Sequence, residues 1–470
     1  MSTPQLTGDR RPLLKEVSLF HKLKSIRVVI GLLFLSSVFF VCAKSAIGAV
    51  FSPKSFKLDN GLQVVVIEND RAPIVLQMLW YRVGAADEKP GESGLAHFVE
   101  HLLFKGTKTT KPGEFSRRIA RIGGRDNAFT SYDFTAYFQQ VASHELETIM
   151  RLEADRMQNL VLSDDVVLPE RDVVLEERRS RTDNSPAAQL REQVRRALYL
   201  NHPYGRPVIG WKSEIENLTT EKALAFYRKH YAPNNAMLII AGAVKLDQVR
   251  ALAEKYYGSI PYRPVSPRVR PKEPPHYAHR RVELRNARVN LPAISRTYLS
   301  PSYSAGEKQH AYALEVLSLV LGGGNTSELY RRLVVERGIA STAGAWYGGD
   351  GLDYGEFGIY ASPKAGIDID QLEQALFEEF GAAIKRGFKK EDIERAKRLI
   401  IAQAVYARDG LRAGPNAFGR AFTQGQTISD VEAWPERIAS VTPEQVNQAA
   451  HTVFEIKNSV TSVLLPEDGK

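Results

Sequence analysis

Two histidines and one glutamate, placed within five residues of each other, could bind a metal ion and move a proton. His97, Glu100 and His101 form the pattern H-x-x-E-H. On a helix the two histidines lie four residues apart on one face, so both imidazoles can bind the same metal ion. Glu100 then lies beside the metal, where a general base can accept a proton from metal-bound water. The pattern therefore predicts a helix that carries two metal ligands and a base.

The alternative interpretation is a pair of solvated histidines next to an acid on a helix surface. The flanking residues disfavour it, because Leu95, Phe98 and Leu102 are apolar and predict a buried helix. Two buried imidazoles and a buried carboxylate without partners would be costly. A metal ion would provide the missing partner.

A catalytic zinc site needs a third protein ligand and an open position for water. Cysteine is excluded, because the single cysteine of the chain, Cys42, lies in an apolar N-terminal run. Three carboxylates remain in a helix-compatible stretch whose first turn suits Pro169, namely Glu170, Glu176 and Glu177. Glu170 and Glu177 are two turns apart and share a face, whereas Glu176 points about 100° away from Glu177. Spacing does not show which of the three carboxylates is the third ligand. For each one, the alternative to a ligand is a solvated glutamate that pairs with a nearby arginine.

The elements that must position these residues form two parts. At 470 residues the chain exceeds the usual size of one hydrophobic core, which predicts two domains. Six prolines between residues 261 and 275 predict a semi-rigid linker. We therefore expect an N-terminal segment at 1–50, a metal-bearing domain at 51–260, the linker at 261–280 and a second domain at 281–466.

The two domains look like copies of one unit. Thr219 precedes a predicted helix, and the apolar run Met237–Gly242 follows that helix. The same order recurs 223 residues later, with Thr442 before a helix and Val460–Leu465 after it. Strand-like segments alternate with amphipathic helices, so we predict a duplicated α+β unit. The second copy has no H-x-x-E-H, so the chain offers one metal site.

The N-terminal segment resembles an export signal. Residues 1–50 carry seven basic and two acidic side chains, which accounts for much of the net charge of +9. The small net charge of the remaining residues argues against a nucleic-acid-binding protein. A basic stretch precedes the apolar run Val28–Ala43, and small residues follow it, as in a secretory signal peptide. The run is short for a membrane span of about 20 residues, although an uncleaved anchor is the alternative. We therefore expect export to the periplasm or to the outer face of the inner membrane.

Four segments together are typical of one family: Gly94–Thr107, Asp59–Leu62, Gly124–Thr130 and His202–Gly205. With the downstream glutamate pair, they resemble the insulinase/pitrilysin (inverzincin) family of zinc metallopeptidases, most of all the mitochondrial processing peptidase β-subunit and its bacterial homologues. The resemblance covers nearly all of the chain after the N-terminal segment. It implies an α+β fold of two homologous domains, each an antiparallel sheet backed by helices, that face each other across a cavity. It also implies a zinc-dependent endopeptidase with one zinc ion.

The resemblance assigns roles to individual residues. It implies that Glu177 is the third zinc ligand and that Glu170 supports the site from beside it. It also implies that Asn127, Ala128 and Phe129 lie on an edge strand that pairs with the backbone of an extended peptide substrate. A turn is an equal alternative for Asn127, because asparagine is a leading turn residue.

One departure from the family's pattern concerns the second domain. Single-chain active members have an arginine there, followed seven residues later by a tyrosine, and both help to hold the substrate carbonyl. The matching positions here are Val334 and Ser341. In the family this is typical of zinc-bearing subunits that act with a metal-free homologous subunit, so we expect a heterodimer. The alternatives are a non-catalytic scaffold and a peptide-binding chaperone of the same fold.

Overall fold

The computed structural model describes residues 1–2 and 50–467. Residues 50–467 belong to one compact unit. Because residues 3–49 are not described, nearly all of the predicted export signal at residues 1–50 lies outside the described residues. Among the described residues, no helix has both the length and the apolar character that a membrane span requires.

The first half of the unit is built on a six-stranded sheet. Its strands are β1 (Lys54–Lys57), β2 (Gln63–Glu68), β3 (Ile74–Tyr81), β4 (Arg125–Thr130), β5 (Thr135–Ala142) and β6 (Ala236–Gly242). They lie in the order β1-β2-β6-β3-β5-β4. The β2–β6 pair is parallel and the other pairs are antiparallel. The strand β4 is consequently an edge of the sheet.

The second half repeats this path with five strands. They are β7 (Arg280–Arg285), β8 (Ala293–Ser300), β9 (Ala340–Gly348), β10 (Gly355–Pro363) and β11 (Ser459–Leu465), in the order β7-β11-β8-β10-β9. The β7–β11 pair is parallel and the others are antiparallel. The order matches β2-β6-β3-β5-β4 strand for strand, so the predicted α+β duplication is confirmed.

In both halves two helices precede the strand pair β4–β5 or β9–β10, and a longer run of helices follows it. The first half has α1 (Leu95–Leu102), α2 (Glu114–Arg121), α3 (Leu146–Gln158), α4 (Asp164–Arg178), α5 (Pro186–Leu198), α6 (Lys212–Ile215), α7 (Thr220–His230) and α8 (Leu246–Tyr257). The second half has α9 (Gln309–Gly322), α10 (Glu328–Tyr330), α11 (Ile369–Arg386), α12 (Lys390–Ala407), α13 (Ala413–Thr423), α14 (Ile428–Glu432), α15 (Trp434–Ala439) and α16 (Pro443–Val453). Turns of π-helix continue α4 over Arg179–Asp183 and α10 over Arg331–Glu336.

Two helices begin where the sequence repeat predicts. The Thr219 hydroxyl accepts the Lys222 N–H at 3.2 Å at the start of α7. The Thr442 hydroxyl accepts the Gln445 N–H at 3.3 Å at the start of α16. Each helix leads into the equivalent strand, β6 or β11, and this confirms the 223-residue correspondence.

Both faces of the first sheet are buried at its central strands. Val64 and Val66 pack in the core formed with helices of the first half. Val65, on the opposite face, packs in a cluster that includes Phe418 and Phe422 of α13. Because strands covered on both faces need apolar residues at every position, β3 and β6 are nearly continuous apolar runs.

The halves are joined by an exchange of helices. α13 of the second half packs on β3 and β6, while α5 of the first half packs on β7 and β11. Gly419 makes room for this contact, because a Cβ atom there would lie 2.1 Å from the Trp80 ring. A cavity of about 360 Å³ is lined by residues of α5 and of the second sheet.

Residues 261–279 contain no helix or strand and cross between the halves. Within them, the Arg270 guanidinium lies 3.1 Å from Asp87 and 3.3 Å from Asp353, and it also pairs with Asp133. The Arg270 side chain is buried, so these carboxylates compensate for the loss of water around its charge. The connection is therefore attached to both halves.

Candidate metal centre

The helix α1 starts at a backbone position that requires glycine. Gly94 has a φ of 89°, and a Cβ atom there would lie 2.5 Å from the Ile209 carbonyl oxygen. The buried Glu88 carboxylate accepts the Gly94 N–H at 3.1 Å and the Ala96 N–H at 2.8 Å. Burial raises the pKa of Glu88 well above its ordinary value, although these hydrogen bonds oppose the shift. Together these contacts fix where the first turn of α1 begins.

The structure brings His97, His101 and Glu177 together. One ligand atom from each lies within 4.8 Å of the others, and this is the only such group of three or more among the described residues. Glu177 Oε2 lies 3.3 Å from His101 Nε2, and Glu177 Oε1 lies 3.7 Å from His97 Nε2. Tetrahedral zinc with bonds of 2.0–2.1 Å places its ligand atoms about 3.4 Å apart. The donor set and its spacing therefore fit one zinc ion.

The two imidazoles differ in their surroundings. Burial, followed by repulsion from His101, lowers the pKa of His97 to about 4, so His97 is in the neutral form that binds metals. Burial also favours neutral His101, but hydrogen bonds to Glu170 and Glu177 outweigh it and raise the pKa of His101 to about 9. A metal cation at His101 Nε2 would replace the proton there.

Glu170 lies on the far side of His101 from Glu177. Its Oε1 atom is 2.9 Å from His101 Nδ1, and its other oxygen pairs with Lys105. A carboxylate at Nδ1 fixes the orientation of the imidazole and leaves Nε2 for the metal. Glu170 therefore lies where it can support a ligand without being one.

The structure separates the three carboxylates that spacing left unranked. Glu176 is exposed and pairs with Arg179 at 2.7 Å, away from the histidines. The prediction that Pro169 lies in the first turn is wrong, because α4 begins at Asp164, and Pro169 lies within the helix. Two acids in the first turn favour the earlier start, since they oppose the positive end of the helix dipole.

Glu100 lies in the same buried region as the histidines. Its side chain is 8% exposed, and the Thr130 hydroxyl donates a hydrogen bond of 2.6 Å to its Oε2 atom. Burial raises the pKa of Glu100 to about 7, against the effect of the Thr130 hydrogen bond. A carboxylate in such a site can both accept and return a proton near neutral pH.

Asn127, Ala128 and Phe129 lie in the strand β4 rather than in a turn. One side of β4 pairs with β5, and the other side is the edge of the sheet. The helix α1 packs against β4, so this edge runs beside the metal centre. The peptide-binding role of these three residues stays a prediction.

Val334 and Ser341 have other contacts in the second half. Val334 packs against the core of that half, and the Ser341 hydroxyl donates to the Ser362 carbonyl oxygen at 3.2 Å. Neither side chain can supply the cationic or phenolic donor that the family's pair provides.

Sequence reasoning missed two residues at the centre, Thr130 and Arg181. The Arg181 guanidinium lies 2.6 Å from Glu177 Oε1 and is 73% exposed. The sequence could have indicated this ion pair, because Arg181 lies four residues after Glu177 in a helix that continues past α4. No comparable signal singles out Thr130, because its contact with Glu100 spans 30 residues.

Comparison with known proteins gives a consistent result. Residues 64–212 match the family model for insulinase (peptidase family M16), and residues 217–400 match the model for the peptidase M16 inactive domain. The zinc protease PqqE of Helicobacter pylori is 38% identical, with 93% of this chain and 98% of that protein covered. An uncharacterized zinc protease of Streptomyces coelicolor is 28% identical, with 86% of this chain and 88% of that protein covered.

Solved structures show the same fold. A protease from Helicobacter pylori superposes with a TM-score of 0.81 at 28% identity, over 88% of this chain and 99% of that one. The periplasmic protease PqqL of Escherichia coli gives a TM-score of 0.77 at 20% identity, over 89% of this chain and 48% of that one. The fold is therefore that of two-domain M16 peptidases.

Proposed function

The chain belongs to the insulinase family (peptidase M16), and from that premise we propose that it is a zinc-dependent endopeptidase acting on extended peptides or unfolded segments. The observation that carries the proposal is the convergence of His97, His101 and Glu177, with the buried Glu100 in the same region. The relatives are named zinc proteases, which supports the same metal and the same class of reaction.

The proposed mechanism assigns one task to each side chain. His97, His101 and Glu177 would hold zinc, which supplies an activated water and polarises the scissile carbonyl when it is bound. Glu100 would accept the proton of the attacking water, and we assign this task to Oε1, because Oε2 already accepts a hydrogen bond from Thr130. Glu100 then returns that proton to the leaving amine, which completes hydrolysis of the peptide bond.

The substrate would bind along the edge of β4. Along Asn127, Ala128 and Phe129, one row of backbone groups has no strand partner within residues 50–467. An extended peptide can add to such an edge through backbone hydrogen bonds. Main-chain pairing requires an extended strand, so it favours unfolded segments over folded proteins.

We also propose that the active form is a heterodimer with a metal-free homologous subunit. The support is the presence of Val334 and Ser341 where an arginine and a tyrosine would contact the substrate carbonyl. Loss of one such donor costs about 10²–10³ in kcat in other acyl-transfer enzymes. A partner that contributes both donors would restore that stabilisation.

The proposal predicts zinc-dependent cleavage that is slow in the chain alone. The chain and whatever subunit co-purifies with it from the native host would be assayed separately and together on an unstructured peptide. We expect one zinc per chain, cleavage that is lost on chelation and recovered with zinc, and a rate at least about 10² higher with the partner. Full activity of the chain alone would refute the heterodimer, and zinc-free cleavage would refute the metallopeptidase.

A peptide-binding chaperone is the second candidate, and the missing arginine and tyrosine favour it. This candidate predicts zinc binding and peptide binding without turnover, whether or not the partner is present. A scaffold role predicts neither zinc nor peptide binding. Metal content and peptide affinity, measured in the same samples, separate the three functions.

We propose that the protein is exported to the periplasm or to the outer face of the inner membrane. The composition of residues 1–50 supports this, and so does the absence of cysteine from residues 51–470. We expect residues 1–50 to carry a fused reporter enzyme out of the cytoplasm. Retention of the reporter in the cytoplasm would contradict export, and sequencing the native N-terminus would distinguish a cleaved signal from an anchor.

A further inference from the structure

The Glu100 carboxylate is held by one side chain. Among the described residues, Thr130 is the single side-chain donor to it, through the 2.6 Å hydrogen bond from Oγ1 to Oε2. Oε1 has no such bond, although the side chain retains only 8% exposure. A glutamate has three side-chain torsions, so a single hydrogen bond to one oxygen strongly limits where the other oxygen points.

Thr130 is itself fixed by the sheet. It is the last residue of β4 and pairs with Thr135 of β5. The buried Thr135 hydroxyl donates to the Val83 carbonyl oxygen at 3.0 Å, so its proton is already used. Thr135 could therefore only accept the single Thr130 proton, but its oxygen is 3.4 Å away, whereas the Glu100 carboxylate oxygen is at 2.6 Å and receives that proton.

We infer that Thr130 is a positioning residue that sets the orientation of the general base. Its hydroxyl holds Glu100 Oε2, which leaves Oε1 as the oxygen that meets the attacking water. The inference rests on the proposed function, in which Glu100 is that base. It adds a residue of the sheet to a centre whose metal ligands and base lie on α1 and α4.

The location of Thr130 links the base to the substrate. Asn127, Ala128 and Phe129 precede Thr130 on the same edge strand, where a bound peptide would pair. A peptide paired with β4 would therefore lie next to the residue that holds Glu100. The contribution of Thr130 appears in turnover rather than in peptide affinity, because the hydroxyl points to the base.

The test compares Thr130→Val, which keeps the shape and removes the hydroxyl, with Thr130→Ser, which keeps the hydroxyl. In the zinc-loaded protein with its partner, we expect Thr130→Val to lower kcat by about 10- to 100-fold, within the range of general-base catalysis. KM and zinc content should stay within about twofold, and Thr130→Ser should retain most of the wild-type kcat. Equal losses in both variants, a change confined to KM, or loss of zinc would indicate a structural role and overturn the inference.

A second measurement does not depend on activity. Crystal structures of the zinc-loaded wild type and of Thr130→Val would show whether Glu100 changes from one conformer to several. Ordered Glu100 in the valine variant would overturn the inference even if the wild type proved to be an active peptidase. An inactive wild type in which Glu100 disorders only in the valine variant would refute the proposed function and leave the positioning by Thr130 intact.

Discussion

Glu100→Gln should leave zinc bound and reduce peptide cleavage by about 10²–10⁴-fold, the usual contribution of a general base. Glutamine has the same shape, and its amide oxygen can still accept the hydrogen bond from Thr130. It cannot accept a proton from water at neutral pH. The variant therefore removes proton transfer from Glu100 while the three metal ligands remain.

The measurement pairs kcat with the zinc content of the same sample. Glu176→Gln is a matched control, because Glu176 is an exposed carboxylate that pairs with Arg179 at a distance from the histidines. The control should have the kcat and the zinc content of the wild type. Unchanged cleavage by Glu100→Gln would show that another group acts as the base.

The predicted parts of the site are those that short-range geometry determines. The spacing of His97 and His101 is a property of one helical turn, so the sequence is sufficient to place both rings on one face. Thr219 and Thr442 likewise act on the next turn of their own helices. These predictions did not depend on the tertiary structure of the chain.

The unpredicted parts depend on distant segments. Helical spacing placed Glu170 and Glu177 on one face but did not rank them, and their roles were assigned only by the family resemblance, because the difference lies in how α4 faces α1. The contact between Thr130 and Glu100 depends on the same kind of packing. The exchange of α5 and α13 between the halves was also not foreseen, since an amphipathic helix does not identify the sheet that it covers.

Pro169 shows a different limit. Proline is common in the first turn of a helix, and this preference predicted a start near Leu168. The helix instead begins at Asp164, four residues before Leu168, and includes the proline. Tertiary contacts of α4 with α1 and α7 outweigh the local preference.

Glu177→Ala should abolish stable zinc binding, and cleavage should be lost with the metal. Glu177 is the only carboxylate among the described residues that shares a ligand cluster with His97 and His101, so its removal leaves two protein ligands. Two neutral imidazoles also lack the negative charge that offsets the charge of a divalent ion. Arg181, which pairs with Glu177 at 2.6 Å, would then face the site without its partner and oppose a cation further.

The other two glutamates of α4 would be substituted in the same way, as Glu170→Gln and Glu176→Ala. The zinc affinity of all three variants would be measured by competition with a chelator. Glu170 touches His101 Nδ1, so its substitution should weaken zinc binding by about 10- to 100-fold, as for other groups that orient a ligand. Glu177→Ala should weaken it more than that, and Glu176→Ala should have no effect, because Glu176 is exposed and pairs with Arg179. The order of the three affinities is the sharpest test of the site, because a solvated acidic face would make all three substitutions equally harmless. Tight zinc binding by Glu177→Ala would mean that a different carboxylate completes the metal centre.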